Sequence, residues 1–268
     1  MFKWKKINKF KYLEIKSFKE NGCNAYFTSR KGGVSKGNYD SLNLGLHTKD
    51  KNSNVIKNRK IVANNLNINF SSITTASQVH GNNVHIVSKS ERGKGSCNYN
   101  NSIKNSDALI TNLKNITLFS YYADCVPLYF FDKRRKVIGL AHSGWKGTIK
   151  KIAVKVLHKM KAKFNSQLDD CLIGIGPAIS GNYYEIDNKI AQKFKNEFSY
   201  TDQFLVVKNN NKYLLDLPKL NKIILINEGI KAKNIYESQI CTFSDKENFY
   251  SYRRDQGKTG RMASIITL

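Results

Sequence analysis

Two periodicities run through the chain. Ile149, Ile152, Ala153, Val156, Leu157, Met160 and Phe164 recur at spacings of three and four, which predicts an amphipathic helix over 149–164 with Lys150, Lys151 and Lys155 turned to water. A weaker version of the same stripe, Val55, Ile56, Arg59, Val62 and Leu66, predicts a helix over 53–66 that Ser53 caps. Between these helices lie short runs of β-branched and aromatic residues at 116–123, 126–131, 137–141 and 172–175, too short for helices and bounded by polar positions, so they predict buried strands. Further helices are expected over 188–198 and 219–230. The stretch 88–105 (SKSERGKGSCNYNNSIKN) has few apolar positions and predicts a long surface loop, mobile or laid over a site. Strands and helices interleave along the whole length, so the fold class is α/β or α+β with a mixed sheet.

No feature divides this pattern into domains. There are three prolines and no internal repeat, and 268 residues with 40% hydrophobic content suffice for one core. The longest apolar run, 126–131, is far below the roughly 18 residues of a membrane span, so no membrane partner is expected. Lys3, Lys5, Lys6, Lys9 and Lys11 open the chain like a signal peptide, but no apolar run follows them, and a cytoplasmic protein is expected. Cys23, Cys97, Cys125, Cys171 and Cys241 are odd in number and widely spaced, which predicts reduced thiols.

Charge changes the picture only in part. A formal net charge of +25 favours an anionic partner. The bases, however, are 37 Lys against 8 Arg beside 31 Asn, a pattern that skewed coding-DNA composition also produces. They are dispersed, and no recognisable binding motif accompanies them, so specific nucleic-acid binding is not expected.

Three segments place chemical side chains at the edges of apolar runs: 77–82 (SQVHGN), 123–127 (ADCVP) and 141–148 (AHSGWKGT). A thiol between two strands is ordinarily a small core residue, but Asp124 beside Cys125 is an awkward core neighbour, since an unpaired buried charge is costly. His142 closes a strand and precedes a Gly144–Gly147 turn, where backbone amides and Lys146 suit an anion. His80, Cys125 and His142 are the ligand types of a catalytic zinc, which keeps three protein ligands and one open position. The same atoms also make a Cys125 nucleophile with His80 or His142 as base. His85 would serve in place of His80, but it sits inside the alternating segment 84–87 and reads as a strand residue; His47 and His158 read as bystanders. Five histidines are too few for several coppers. The segment GIGPAI (174–179) departs from a dinucleotide fingerprint at Ile179 and Pro177. Arg253, Arg254 and Arg261, with Arg30 beside Gly32 and Gly33, are guanidiniums suited to phosphate or to structural pairs such as Arg254 with Asp255 or Asp124.

Taken together, TSRKGGVSKGNYDSLNLG, SQVHGN, DALIT, YYADCVP, AHSGWKGT, IGPAISGNYYEI and CTFSDKENFYSYRRDQGKTGRMA resemble the YfiH/YlmD family, also known as polyphenol oxidase or laccase domain proteins. The likeness runs from Thr28 to Ala263, which divides the chain into an N-terminal segment, 1–20, of uncertain role and a catalytic domain, 21–268. It implies a single-domain α/β/β/α layered fold related to bacterial deamidating toxins, with zinc on His80, Cys125 and His142. It also implies phosphorolysis of adenosine, inosine, guanosine and methylthioadenosine, deamination of adenosine, and, for bacterial members, a link to peptidoglycan editing. Asp124, Arg30 and Cys125 are then the expected catalytic groups; Asp124 is of a type suited to donate a proton, but the sequence does not single out the group that protonates the purine. Arg30, Asn43, Lys146 and Arg254 are the expected contacts to nucleoside and phosphate. Ser143 and Lys146 stand where the family commonly has Ala and Arg. Two other classes stay open: a metal-free Cys/His amide hydrolase and a basic nucleic-acid binding module.

Overall fold

A computed structural model describes residues 1–209 and 211–268. The first strands are Phe2–Ile7 (β1), Phe10–Ile15 (β2), Asn24–Thr28 (β3), Ile73–Thr75 (β4) and Val84–Ile86 (β5). Ala108–Thr111 (β6), Thr117–Tyr122 (β7), Val126–Asp132 (β8), Val137–Ser143 (β9) and Cys171–Ile175 (β10) follow. The last are Glu185–Asp187 (β11), Leu205–Lys208 (β12), Lys212–Leu215 (β13), Ile235–Glu237 (β14) and Met262–Thr267 (β15). The helices are Lys16–Glu20 (α1), Asn52–Asn65 (α2), Trp145–Ile149 (α3), Ile152–Phe164 (α4), Asn188–Glu197 (α5) and Leu217–Asn227 (α6). All four strand runs expected from the sequence are present.

One sheet has the order β1-β2-β3-β15-β7-β4 and the other β14-β10-β8-β9-β6-β5, with β11-β13-β12 as a small third sheet. Both large sheets are mixed, because β4 joins β7, β5 joins β6 and β14 joins β10 in parallel while the other pairs are antiparallel. Strand alternation builds the layers. Tyr129, Phe131, Ile138 and Leu140 of the second sheet meet Ile15, Ala25, Leu118 and Ile266 of the first. The opposite face of the second sheet, Val126, Leu128, Phe130, Val137 and Ala141, packs under Ile152, Val156, Leu157 and Met160 of α4 and Leu220 and Ile224 of α6. The outer face of the first sheet, including Phe119, Tyr121 and Ile265, is covered by Val62 and Ala63 of α2. The result is an α/β/β/α stack. Phe130 is fully buried between the second sheet and its helices, so Phe130→Ala should cost about 3–5 kcal/mol, read as a lower urea midpoint.

Two expectations need correction, and a third gains detail. The predicted helix over 149–164 is broken: Lys151 adopts a left-handed conformation (φ 52°), α3 ends at Ile149, and the freed Lys150 carbonyl accepts from Asn82 Nδ2 at 2.9 Å. Trp145, the first residue of the separate α3, is among the residues that line the cavity of the candidate site. Ser53 lies inside α2 and caps nothing; Lys51 holds that position without a side-chain bond. The stretch 88–105 is the expected surface segment, tied to the body of the fold and with the Tyr99 ring 5.9 Å from that of His47. Arg59, fully buried in α2, donates to the carbonyls of Gly95 (2.7 Å), Ser96 (2.8 Å) and Leu44 (2.9 Å), and Ile103 bridges to Ala76. Residues Phe2–Ile15 form the edge hairpin of the first sheet. No helix among the described residues is long and apolar enough to cross a membrane.

Candidate functional site

One end of the second sheet gathers the chemical residues. In the β8–β9 hairpin Pro127 lies opposite His142 and Val126 opposite Ser143, so Cys125, just before β8, falls beside the end of β9. On the other side of β9, Ala108 pairs with Ala141, which brings Asp107 to the same end. The parallel β5–β6 pairing sets Val84 opposite Ala108, so the segment leading into β5 delivers His80 there too. One ligand atom from each of His80, Cys125 and His142 lies within 4.8 Å of the other two. The two imidazoles meet edge to face with centroids 4.8 Å apart.

Asp107, the first residue of the DALIT block but not among the expected site residues, holds this arrangement. Its buried carboxylate accepts from the amides of Val79 (3.2 Å), His80 (2.9 Å) and Gly81 (2.7 Å), and from His142 Nδ1 at 2.9 Å. Three successive amides around one carboxylate stabilise the left-handed backbone of His80 (φ 58°). An ionised carboxylate only accepts, so Nδ1 of His142 carries the proton and Nε2 is left free. The signal of Asp107 in the sequence was its place at the head of the DALIT block, an acid directly before apolar residues. Gly144 supplies room: a Cβ there would sit 3.1 Å from Cys125 Sγ and 3.3 Å from His80 Cδ2. Burial opposes ionisation of Cys125, but His142 and His80 outweigh it and lower the thiol below its ordinary value. Burial likewise opposes a charged His142, yet Cys125 and Asp107 raise it. Each of the two groups thus favours the charged form of the other.

The three donors line a cavity of about 420 Å³ whose walls include Tyr121, Trp145, Tyr184 and Tyr252, together with Arg253, Arg261 and His47. His47, read as a bystander, is therefore a wall residue; burial and the guanidiniums of Arg261 and Arg59 push its imidazole down to about 3, so it is neutral. His85 pairs with Glu91 at 3.0 Å and His158 with Glu228, both away from the cavity.

The other expected site residues fall differently. Asp124 lines the cavity with a left-handed backbone (φ 87°), and burial raises its carboxyl. Its oxygens nevertheless accept from Thr242 Oγ1 (2.7 Å), Ser251 Oγ (2.9 Å) and the Arg253 amide (2.7 Å), the geometry of a brace rather than of an acid aimed at a leaving base. Arg254 is not a lining residue. It pairs with Asp255 (Nε–Oδ1 2.8 Å) and donates to the carbonyls of Thr242, Phe243 and Phe249. Arg30 is also outside the lining, stacked 4.5 Å from the Tyr250 ring centroid and bonded to the Asp40 carbonyl. Asn43 is buried and internally satisfied by Thr48, Asp50, Gly45 and Arg261, so no polar atom remains for substrate. Lys146 is exposed on α3, beside the lining Trp145. Ser143 turns away from the cavity to Thr148 and Asn221, both at 2.9 Å. The segment after β10 forms no helix; Ile179 lines the cavity and donates its amide to the Asp124 carbonyl.

Residues 24–268 match the family described as multi-copper polyphenol oxidoreductase laccase. The chain is 41% identical over 242 residues to purine nucleoside phosphorylase YlmD of Bacillus subtilis, covering 90% of this chain and 87% of that protein. In structure it is similar to the hypothetical protein YfiH of Bacillus licheniformis, with a TM-score of 0.94, 35% identity and coverage of 99% and 98% of the two chains. It is equally similar to YlmD from Geobacillus stearothermophilus, with a TM-score of 0.94, 31% identity and coverage of 98% of each chain.

Proposed function

Since the chain belongs to the multi-copper polyphenol oxidoreductase laccase family, that of YfiH and YlmD, we propose that it is a purine nucleoside phosphorylase that also deaminates adenosine, with zinc on His80, Cys125 and His142. The observation that carries this reading is one cavity in which a His, Cys, His donor set, aromatic walls and two guanidiniums meet. Two imidazoles and one thiolate open to a cavity fit one zinc better than several coppers, which would need more imidazoles than the five histidines of the chain supply. When bound, zinc supplies Lewis-acid polarisation and activation of water at neutral pH.

The protein's own residues do the rest. Tyr121, Trp145, Tyr184 and Tyr252 offer flat apolar faces to a purine; of the two guanidiniums, that of Arg253 stacks on Tyr184 and donates to the Glu185 carbonyl, which leaves that of Arg261 as a forked donor to a phosphate. In phosphorolysis a phosphate oxygen bonds to C1′ as the C1′–N9 bond breaks; the electron pair leaves on the purine, which takes up the proton that hydrogen phosphate gives up. In deamination the oxygen of water replaces the amine at C6 and ammonia leaves. Incubation of metal-analysed protein with adenosine, inosine, guanosine and methylthioadenosine, with and without orthophosphate, tests both. Phosphate-dependent base release and phosphate-independent ammonia from adenosine are expected, with about one zinc per chain. A zinc-loaded protein that releases no base from any of them overturns the reading.

A second reading has one observation in its favour. Cys125, His142 and Asp107 are neighbours in sequence of contact, a thiol whose ionisation His142 favours and an imidazole held at Nδ1 by a carboxylate, the arrangement of a cysteine amide hydrolase acting on a peptidoglycan precursor. A covalent adduct on Cys125 during turnover would establish it. No observation favours the nucleic-acid module.

A further inference from the structure

Phosphorolysis needs a seat for a phosphate dianion, and Arg30, Lys146 and Arg254, the cations expected to provide it, are all absent from the cavity lining. Resting on the phosphorylase reading, we infer that the phosphate subsite is the wall made by Arg261 and His47. Both side chains line the same cavity as His80, Cys125 and His142. They lie side by side over Gly45, where a Cβ would come within 2.8 Å of Arg261 Cγ and 3.2 Å of His47 Cε1, so the close packing of the two requires a residue without a side chain. One buried amide ties the two segments together, since Asn43 Oδ1 accepts from the Arg261 amide at 2.9 Å and from the Gly45 amide at 3.1 Å.

The guanidinium is oriented but not neutralised. Arg261 Nη1 donates to the carbonyls of Thr259 and Gly260, each at 2.9 Å, which fixes the plane of the fork, while among the described residues no acceptor meets Nε or Nη2. The arginine ion pairs among the described residues are Arg134 with Asp170 and Arg254 with Asp255; Arg261 has none. Asp124, the carboxylate lining the cavity, is occupied by Thr242, Ser251 and the Arg253 amide. Behind the wall, the guanidinium of fully buried Arg59 lies 4.4 Å from the centroid of the lining Tyr121 ring and is bonded only to carbonyls. A half-buried cation with two free donors and no ion-pair partner, backed by a second cation and only acted on from a distance by Cys125 and Asp124, is completed by an anion that accepts from a fork. The neutral imidazole of His47 supplies a further N–H donor beside it.

The ligand class is a phosphate, either free orthophosphate as co-substrate or the 5′-phosphate of a nucleotide. The experiment compares wild type, Arg261→Gln and Arg261→Lys at matched zinc content and melting temperature. Kinetics give KM for orthophosphate, KM for inosine, and the preference for inosine 5′-monophosphate over inosine; calorimetry follows orthophosphate titrated into each protein. With orthophosphate as ligand, Arg261→Gln raises its KM by about tenfold or more, the loss of a charge-assisted hydrogen bond, and Arg261→Lys recovers part of it. KM for inosine then stays within about twofold, as expected for a residue that meets the phosphate alone. With a nucleotide as ligand, wild type prefers the monophosphate and Arg261→Gln loses that preference while KM for orthophosphate stays unchanged. If neither quantity moves, the subsite is wrong. If wild type releases no base from any nucleoside, the phosphorylase reading fails separately and calorimetry decides the subsite: phosphate heat lost in Arg261→Gln upholds it, whereas equal heat in both proteins, or none in wild type, overturns it.

Discussion

Cys125→Ala is expected to purify almost free of zinc and to release no measurable base from inosine, while keeping the circular dichroism and melting temperature of metal-free wild type. The thiolate is one of the three donors that converge among the described residues, so its loss should exceed the roughly 10–100-fold fall in affinity that follows loss of an outer-shell partner. The side chain is small and half-buried at the start of β8, and alanine fits its space, so the fold itself should persist. Metal analysis separates the two readings of this residue. A variant that retains full zinc yet loses all turnover, together with a mass-detected adduct on Cys125 in wild type, would make Cys125 a nucleophile.

Asp107→Asn should lower zinc affinity by about 10–100-fold, measured by chelator competition on the purified proteins. The carboxylate receives four donors, three from the 79–81 backbone and one from His142 Nδ1. An asparagine amide offers one accepting oxygen and turns a donor toward a donor on its other side. The mismatch leaves buried N–H groups unpaired, at a cost of about 1–3 kcal/mol to the metal-free protein, so its melting temperature should fall as well. Zinc affinity within twofold of wild type would show that His80 and His142 do not depend on this brace.

The hairpin half of the site was open to reading from the chain alone. Apolar runs at 126–131 and 137–141 separated by a short polar turn must pair as neighbours, and a thiol just before the first and a histidine just after the second then meet at one end. The α/β or α+β class was legible because helical stripes and short β-branched runs interleave along the chain, whereas the α/β/β/α layering was implied only by the family resemblance. His80 was separable from His85 because a Gly81 turn and an alternating strand read differently.

Tertiary structure alone decided the rest. His80 reaches the hairpin through β6, whose place between β5 and β9 depends on parallel pairing between segments distant in the chain, and no local pattern encodes such an order. The same holds for the arginines. Arg253, Arg254 and Arg261 look alike in sequence, yet turn geometry sends Arg254 to Asp255 and backbone carbonyls and leaves Arg253 and Arg261 in the cavity wall. His47 and Asp107 gave no periodic signal, because a wall residue in an irregular turn and a carboxylate in a nest of amides are defined by what surrounds them. Periodicity reports which face of an element is buried. The groups that converge there are set by how distant elements pair, and that choice is made by the packing of the whole chain.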